Sequence, residues 1–213
     1  MSIDLGGIIS PLYVIVDVGE GRPDPIAWTQ AAVAEGAALV QLRAKKADFD
    51  DFVAMAVEMK KICTFGKSLF IVNDNIDAAV ASGADGVHLG QSDAAVTLAR
   101  QELGDDKIIG WSTHNPQEVG KAIELPVDYV AVGPVFPTTG KENPDPVIGC
   151  EGVRRLRKMV KSPLVAIGGI TVDNAGEVLA SGADLLAVIG DIASADDQRL
   201  RCAGYRRLLS GEE

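Results

Sequence analysis

The sequence predicts an α/β protein, a single-domain (β/α)8 (TIM) barrel running over residues 1–213. Three observations carry that expectation. Eight short, apolar, β-branched runs recur along the chain, with amphipathic segments of helical period between them. One helix-to-strand junction is written twice in the same letters, at residues 81–85 and 180–184. Polar residues gather just after the apolar runs, at the strand ends where barrels of this architecture place their chemistry.

The runs are Leu12–Val16, Leu39–Leu42, Leu69–Val72, Gly86–Leu89, Ile108–Trp111, Tyr129–Val132, Leu164–Ile167 and Leu185–Ile189. Strands apolar at consecutive positions are covered on both faces, which is what a parallel sheet requires. Asp24-Pro25 supplies a cap and an N1 proline for a helix over Ile26–Glu35. Asp48 caps a second helix in which Phe52, Met55, Ala56, Met59, Ile62 and Cys63 share one face. Asn115-Pro116-Gln117-Glu118 combines cap, N1 proline and N3 glutamate. Ala81-Ser82-Gly83-Ala84-Asp85 runs into Gly86–Leu89, and Ala180-Ser181-Gly182-Ala183-Asp184 into Leu185–Val188. Glu35-Gly36-Ala37-Ala38 before Leu39 is a looser copy. In each, a helix ends at a C′ glycine and a buried strand follows at once. Identical αβ junctions far apart in the chain favour a closed ring of such units. The competing architecture, a doubly wound open sheet, calls for Gly-x-Gly-x-x-Gly after the first strand; Asp17-Val18-Gly19-Glu20-Gly21 stands there instead.

Composition narrows the function classes. With 47% hydrophobic and 23% charged residues, the 213-residue chain has material for one large core, and disorder is excluded. Twenty Lys and Arg against thirty Asp and Glu leave a formal charge of −10. A field of that sign repels phosphate backbones and anionic lipid, so no nucleic-acid or membrane partner is expected. Cys63, Cys150 and Cys202 are odd in number and lack metal-ligand spacing, which reads as reduced thiols in a cytoplasmic protein. The first residues carry neither a basic segment nor a long apolar run, so no signal peptide or membrane span is expected.

The strand ends carry the candidate chemistry. After the second strand, alternation sends Gln41, Arg43 and Lys45 to one side, toward the barrel mouth, where two cations and an amide suit a phosphate or diphosphate. The third strand ends in Asn73-Asp74 and the fourth runs into Asp93. Two converging carboxylates beside a basic strand end suit Mg²⁺ shared with substrate phosphates. Taken singly, Asp74 reads as a turn residue and Asp93 or Ser92 as a helix cap. The fifth strand offers Ser112 as a substrate hydrogen bonder. His114 reads as an acid/base or as the residue ahead of the Asn115 cap, and His88 as a satisfied core histidine. The long loop after the sixth strand holds Thr138, Thr139, Gly140 and Lys141. Gly168-Gly169 after the seventh strand and Ile189-Gly190 after the eighth fall where barrels commonly bind phosphate. Two anion sites follow: one basic with carboxylates, one built from glycine backbone.

In this order, Gln-x-Arg-x-Lys (41–45), Val-Asn-Asp (72–74), Ala-Asp-Gly-Val-His-Leu-Gly-Gln-x-Asp (84–93), Gly-x-Ser-x-His (110–114), Asp-Tyr-x-x-x-Gly-Pro-Val-Phe-x-Thr-x-x-Lys (128–141) and Ile-Gly-Gly-Ile (167–170) resemble the thiamine-phosphate synthase family. The resemblance runs from about Tyr13 to about Ile192. It implies a Mg²⁺-dependent transferase of thiamine biosynthesis that couples 4-amino-2-methyl-5-(diphosphooxymethyl)pyrimidine to a thiazole phosphate and releases pyrophosphate. Carried over by position, it assigns Asp74 and Asp93 to Mg²⁺. It gives Gln41, Arg43, Lys45, Asn73, Ser112 and Lys141 to the pyrimidine diphosphate, with Arg43, Lys45, Ser112 and Lys141 as the catalytic groups. Thr138, Thr139, Gly169, Ile189 and Gly190 would hold the thiazole phosphate.

The chain departs from that pattern at one end of the site. Gly140 stands where the family has a second threonine, and Asp191 follows Gly190, where a carboxylate beside a bound phosphate repels it unless it turns away as a helix cap. Asn75 stands where a second aspartate is frequent. Two other readings stay open. One is a thiazole tautomerase-like isomerase relying on His114, and the other a non-catalytic ligand-binding or regulatory relative.

Overall fold

The computed structural model describes residues 10–92, 95–138 and 145–210. In chain order these form β1 (Ser10–Asp17), α1 (Pro25–Ala34), β2 (Ala37–Arg43), α2 (Phe49–Gly66), β3 (Leu69–Asn73), α3 (Ile76–Ser82), β4 (Gly86–Leu89), α4 (Val96–Leu103) and β5 (Ile108–Thr113). There follow α5 (Pro116–Ala122), β6 (Tyr129–Val132), α6 (Gly149–Arg157), β7 (Leu164–Ile167), α7 (Val172–Ala180), β8 (Leu185–Val188), α8 (Gly190–Ala193) and α9 (Gln198–Ser210). Each of the eight apolar runs is a strand. β1, β2, β3 and β5 extend past their runs into polar residues, while β8 stops at Val188 because Ile189 leaves extended geometry at φ −121°, ψ −73°. Neighbours pair in parallel, and β8 closes on β1 through Leu12–Leu186, Tyr13–Ala187 and Val14–Val188. Closure removes the open-sheet alternative and leaves no unpaired edge.

Alternation along the closed sheet sorts the apolar residues into two layers. Tyr13, Ile15, Leu39, Ile71, Tyr129, Ala131, Val165, Leu185 and Ala187 fill the barrel. Their neighbours of opposite parity, such as Val14, Val40, Leu42, Val72, Val87 and Trp111, pack outward with the helices, Trp28, Phe52, Met59 and Tyr205 among them. The thiols of Cys63, Cys150 and Cys202 are buried, and burial raises the pKa of each. They are inert packing atoms.

The helix starts follow the cap residues. Asp24 accepts from the Ala27 N–H at 2.8 Å and Asp48 from the Asp51 N–H at 2.9 Å. Asn115 accepts from the Glu118 N–H at 2.9 Å. Glu118 in turn accepts from the Asn115 amide at 2.6 Å and the His114 N–H at 2.8 Å, one residue further back than a simple capping box. Burial pushes the Glu118 carboxyl up, but the hydrogen bonds from His114 and Asn115 outweigh it and the net shift is down. Gly83 and Gly182 take positive φ at 67° and 105°, as C′ glycines do.

The duplicated junction has its own reason, which lies in its aspartate. Asp85, directly before β4, donates its N–H to the Phe70 carbonyl and accepts the Phe70 N–H on Oδ2, both at 2.8 Å, while Lys60 of α2 reaches both carboxylate oxygens. Asp184, directly before β8, does the same with Leu164, and Arg157 of α6 bonds it at 2.6 Å. Asp128, before β6, repeats the pattern with Ile109, held by Arg100 of α4 at 2.7 Å. A carboxylate thus fastens every second strand pair to the preceding helix at the face opposite the mouth. The remaining quarter uses Glu35, whose buried carboxylate meets Arg199 at 2.8 Å and Arg206 at 3.1 Å from α9.

Removing one such carboxylate orphans a strand N–H and strands a half-buried cation. Asp128→Ala should therefore lower unfolding free energy by about 2–4 kcal/mol in urea or thermal unfolding. The Glu118 shift has a pH signature. A depressed carboxyl pKa contributes stability above the unfolded value near 4.3, lost as pH falls through the folded value. Glu118→Gln should flatten the acid limb of a melting-temperature profile below about pH 5 and lower stability at neutral pH.

Candidate active site

The strands deliver polar side chains to the mouth by parity. Asp17 of β1, Gln41 and Arg43 of β2, Asn73 of β3, His88 of β4 and Ser112 of β5 share the inward parity of the barrel-filling residues. Register sets Asp17 beside Arg43, and the Arg43 guanidinium donates to the Asp17 carboxylate, which also accepts from Arg22 at 3.3 Å. Asp17 and Arg22 were not among the residues expected from sequence. The available signal was the inward parity of Asp17 at the end of the first strand. Lys45 lies two residues beyond the strand, exposed, rather than on the strand's inward row.

Lys45, Asn73 and Asp74 line a cleft of about 350 Å³ together with Phe49 and Phe52. Asp74 also lines a second cleft of about 540 Å³ with Asp77, Leu98 and Glu102. Asp74 is held at φ +63°, with its N–H on the His88 carbonyl at 2.9 Å. Aspartate tolerates this left-handed region better than most residues, and such outliers concentrate at functional sites. The helix cap here is Asn75, bonded to the Ala78 N–H at 2.8 Å, and not Asp74. Asp93 lies outside the described residues, as do Thr139, Gly140 and Lys141. Among the described residues no group of three or more His, Cys, Asp or Glu could hold a metal. Asp74 is the described candidate ligand, and an oxygen donor suits a hard cation.

Below the mouth, a chain of hydrogen bonds crosses the barrel. The Gln41 amide donates to the Tyr13 hydroxyl at 2.6 Å, and the Tyr13 and Tyr129 hydroxyls meet at 2.9 Å. Tyr129 reaches His88 Nδ1 at 2.8 Å, and His88 Nε2 reaches Ser112 Oγ at 2.8 Å. Burial holds both phenol pKa values well above the ordinary value, so both keep their protons. The two tyrosines meet edge to face, and His88 stacks on Tyr129. Gly110 is required here, since a Cβ would fall 2.0 Å from the Tyr129 ring. His88 is the satisfied core histidine the sequence suggested, and it also contacts Ser112. The tyrosines read as ordinary core aromatics from sequence. His114 bonds Glu118 at 3.0 Å through Nδ1 and Asp145 at 3.2 Å through Nε2, a brace between the end of β5 and the chain leading to α6.

The opposite rim is built from backbone. Gly168 and Gly169 take φ of +102° and +63°. The chain after β6 lies directly on them, with the Val135 and Phe136 N–H groups bonded to Ile167 and Gly168 carbonyls at 2.9 Å. A Cβ on Gly169 would fall 2.6 Å from the Pro137 carbonyl oxygen. This contact brings the half-buried Thr138 segment beside Gly169. Ile189 and Gly190 open α8 at the end of the neighbouring strand. Asp191 does turn away, but not as a cap: α8 has no side-chain cap. Its carboxylate accepts from the Tyr205 hydroxyl at 2.8 Å and the Val172 N–H at 3.4 Å, with Arg201 at 3.6 Å. The expected repulsion is thus answered by a cation and two donors.

Comparison with known proteins agrees with this geometry. The thiamine monophosphate synthase family pattern matches residues 12–192. A thiamine-phosphate synthase of Albidiferax ferrireducens is 43% identical over 202 residues, covering 93% of this chain and 91% of its own. One from Methanocella arvoryzae is 42% identical over 203 residues, covering 93% and 94%. The solved thiamine phosphate pyrophosphorylase of Pyrococcus furiosus superposes with a TM-score of 0.87 at 34% identity, covering 96% of this chain and 97% of its own. With its barrel closed and its strand-end residues at one mouth, the chain belongs to the thiamine monophosphate synthase family.

Proposed function

We propose that this chain is a thiamine-phosphate synthase, joining the pyrimidinylmethyl diphosphate to a thiazole phosphate with release of pyrophosphate. The observation that carries the reading is the division of one mouth into two unlike rims. Arg43, Lys45, Asn73 and Asp74 supply charge and hydrogen bonds on one side, above the buried Gln41, and Gly168-Gly169 with Ile189-Gly190 expose backbone on the other. A diphosphate suits the first and a monophosphate the second. The tautomerase reading loses ground because both nitrogens of His114 are engaged by carboxylates. The small-molecule substrates need no membrane, and among the described residues no helix is long and apolar enough to cross one. The reduced, buried thiols fit a cytoplasmic setting.

The chemistry balances without an added base. The carbon–oxygen bond between the pyrimidine methylene and the diphosphate breaks, and the electron pair leaves with the diphosphate. The thiazole nitrogen lone pair then forms the carbon–nitrogen bond, leaving a quaternary nitrogen, and no proton moves. Arg43 and Lys45 meet the charge that grows on the leaving group, which is where preorganised cations lower a barrier most. Asp17 holds the Arg43 guanidinium in place before substrate arrives. Asp74, with Asp93, would hold Mg²⁺, which would supply charge neutralisation for the diphosphate. Ser112 contacts the pyrimidine, and Thr138 with the glycine backbone steadies the thiazole phosphate.

The decisive assay combines purified protein, both substrates and Mg²⁺, with the product oxidised to fluorescent thiochrome. A signal abolished by EDTA is expected; no signal from folded protein would defeat the reading, and one indifferent to EDTA would remove the metal. Asp74→Asn keeps a side chain that tolerates positive φ, so the barrel should fold as before while turnover falls roughly 10²–10³-fold. Near-UV circular dichroism beside kcat checks both halves.

A further inference from the structure

The hydrogen-bond chain beneath the mouth has a direction, and the direction decides what Ser112 offers. Tyr13 is 2% and Tyr129 0% exposed, so each phenol proton must find a protein acceptor. The Gln41 amide already donates to the Tyr13 oxygen. The Tyr13 proton then goes to the Tyr129 oxygen, 2.9 Å away, since a buried proton without an acceptor costs about 1–3 kcal/mol. Tyr129, having accepted, donates onward to His88 Nδ1 at 2.8 Å. A ring nitrogen that accepts carries no proton, so the neutral imidazole bears its proton on Nε2, the atom facing Ser112 Oγ. Ser112 therefore accepts from below and keeps its own proton for an acceptor at the mouth. Turning the Gln41 amide over would reverse every bond and make Ser112 a donor to His88 instead.

We infer that the buried Tyr13–Tyr129 pair is a positioning unit, which relays the orientation of the Gln41 amide through His88 and fixes Ser112 as a hydrogen-bond donor toward the pyrimidine substrate. The inference rests on the proposed reaction for the identity of that substrate, while the proton order rests on the Gln41 amide orientation and the burial of the two phenols. Tyr13 and Tyr129 touch no substrate in this scheme and act only through Gln41, His88 and Ser112. A tyrosine pair is suited to the task because a phenol both accepts and donates one hydrogen bond in line, whereas phenylalanine would fill the same space and pass nothing on. The charged rim is untouched by the relay, so its loss should leave the diphosphate subsite intact.

Two measurements test it, and the first needs no turnover. The chain has two histidines, so ¹⁵N-detected imidazole spectra of wild type and His114→Gln assign His88 directly. At a pH where the ring is neutral, His88 should be the Nε2–H tautomer, and Tyr129→Phe should convert it to a mixture. A wild-type Nδ1–H tautomer overturns the inference, as does a tautomer unmoved by Tyr129→Phe. The second is a double-mutant cycle on kcat/KM for the pyrimidine diphosphate. Tyr129→Phe should cost about tenfold in the wild-type background and less than twofold in Ser112→Ala, because its effect passes through that hydroxyl. Equal losses in both backgrounds would mark Tyr129 as packing only and overturn the relay. An inactive chain with Nε2–H His88 would defeat the proposed reaction alone, and an active chain with Nδ1–H His88 the relay alone.

Discussion

The barrel depends on one repeated interaction: a carboxylate placed directly before β4, β6 and β8 that takes an N–H at the start of the preceding strand and a helix cation together. Asp85, Asp128 and Asp184 each join two strands and a helix at a single group. A closed parallel sheet has no hairpins, so successive strands are held in register only by ladder bonds and packing. Fixing their starting points at the closed face leaves the opposite ends to carry polar, strained and backbone-exposing residues. Gly169 at positive φ and Asp74 in the left-handed region can sit at the mouth because register is settled elsewhere.

The mouth itself divides by the kind of atom each strand delivers. Strands β1 to β5 end in side chains, whereas β7 and β8 end in glycines and turned backbone. Between them the chain after β6 leans on Gly168 and Gly169, so a bulky substitution there would disturb both halves at once. Inside the barrel a polar chain replaces what could have been aliphatic packing. Fully satisfied polar networks of this sort impose one arrangement on the groups they contain, which greasy packing does not.

Much of this was legible from the amino acids. Apolar runs gave all eight strands because a sheet covered on both faces leaves few polar positions within it, and Asp24, Asp48 and Asn115 announced their helices because caps act within three residues. Gln41, Arg43, Asn73, Asp74 and Ser112 stood out as polar residues at the ends of apolar strands. What escaped were pairings across distance. Tyr13 and Tyr129 are 116 residues apart and look like any core aromatic until barrel closure sets their hydroxyls together. The turn of Asp191 away from the phosphate rim depends on the docking of α9, which no local pattern encodes. The shared aspartate of the duplicated junction was visible, but its purpose needed the strand next door.

The four carboxylate ties differ in when they can form as the chain leaves the ribosome. Asp85, Asp128 and Asp184 find their cations 25 to 28 residues earlier, so each can close almost as soon as it is made. Glu35 waits for Arg199, 164 residues later. Until α9 emerges, the opening βα unit holds a carboxylate destined for burial without the two arginines it will meet. Three of the ties thus span short stretches of chain and suit early assembly, while the fourth must wait for α9.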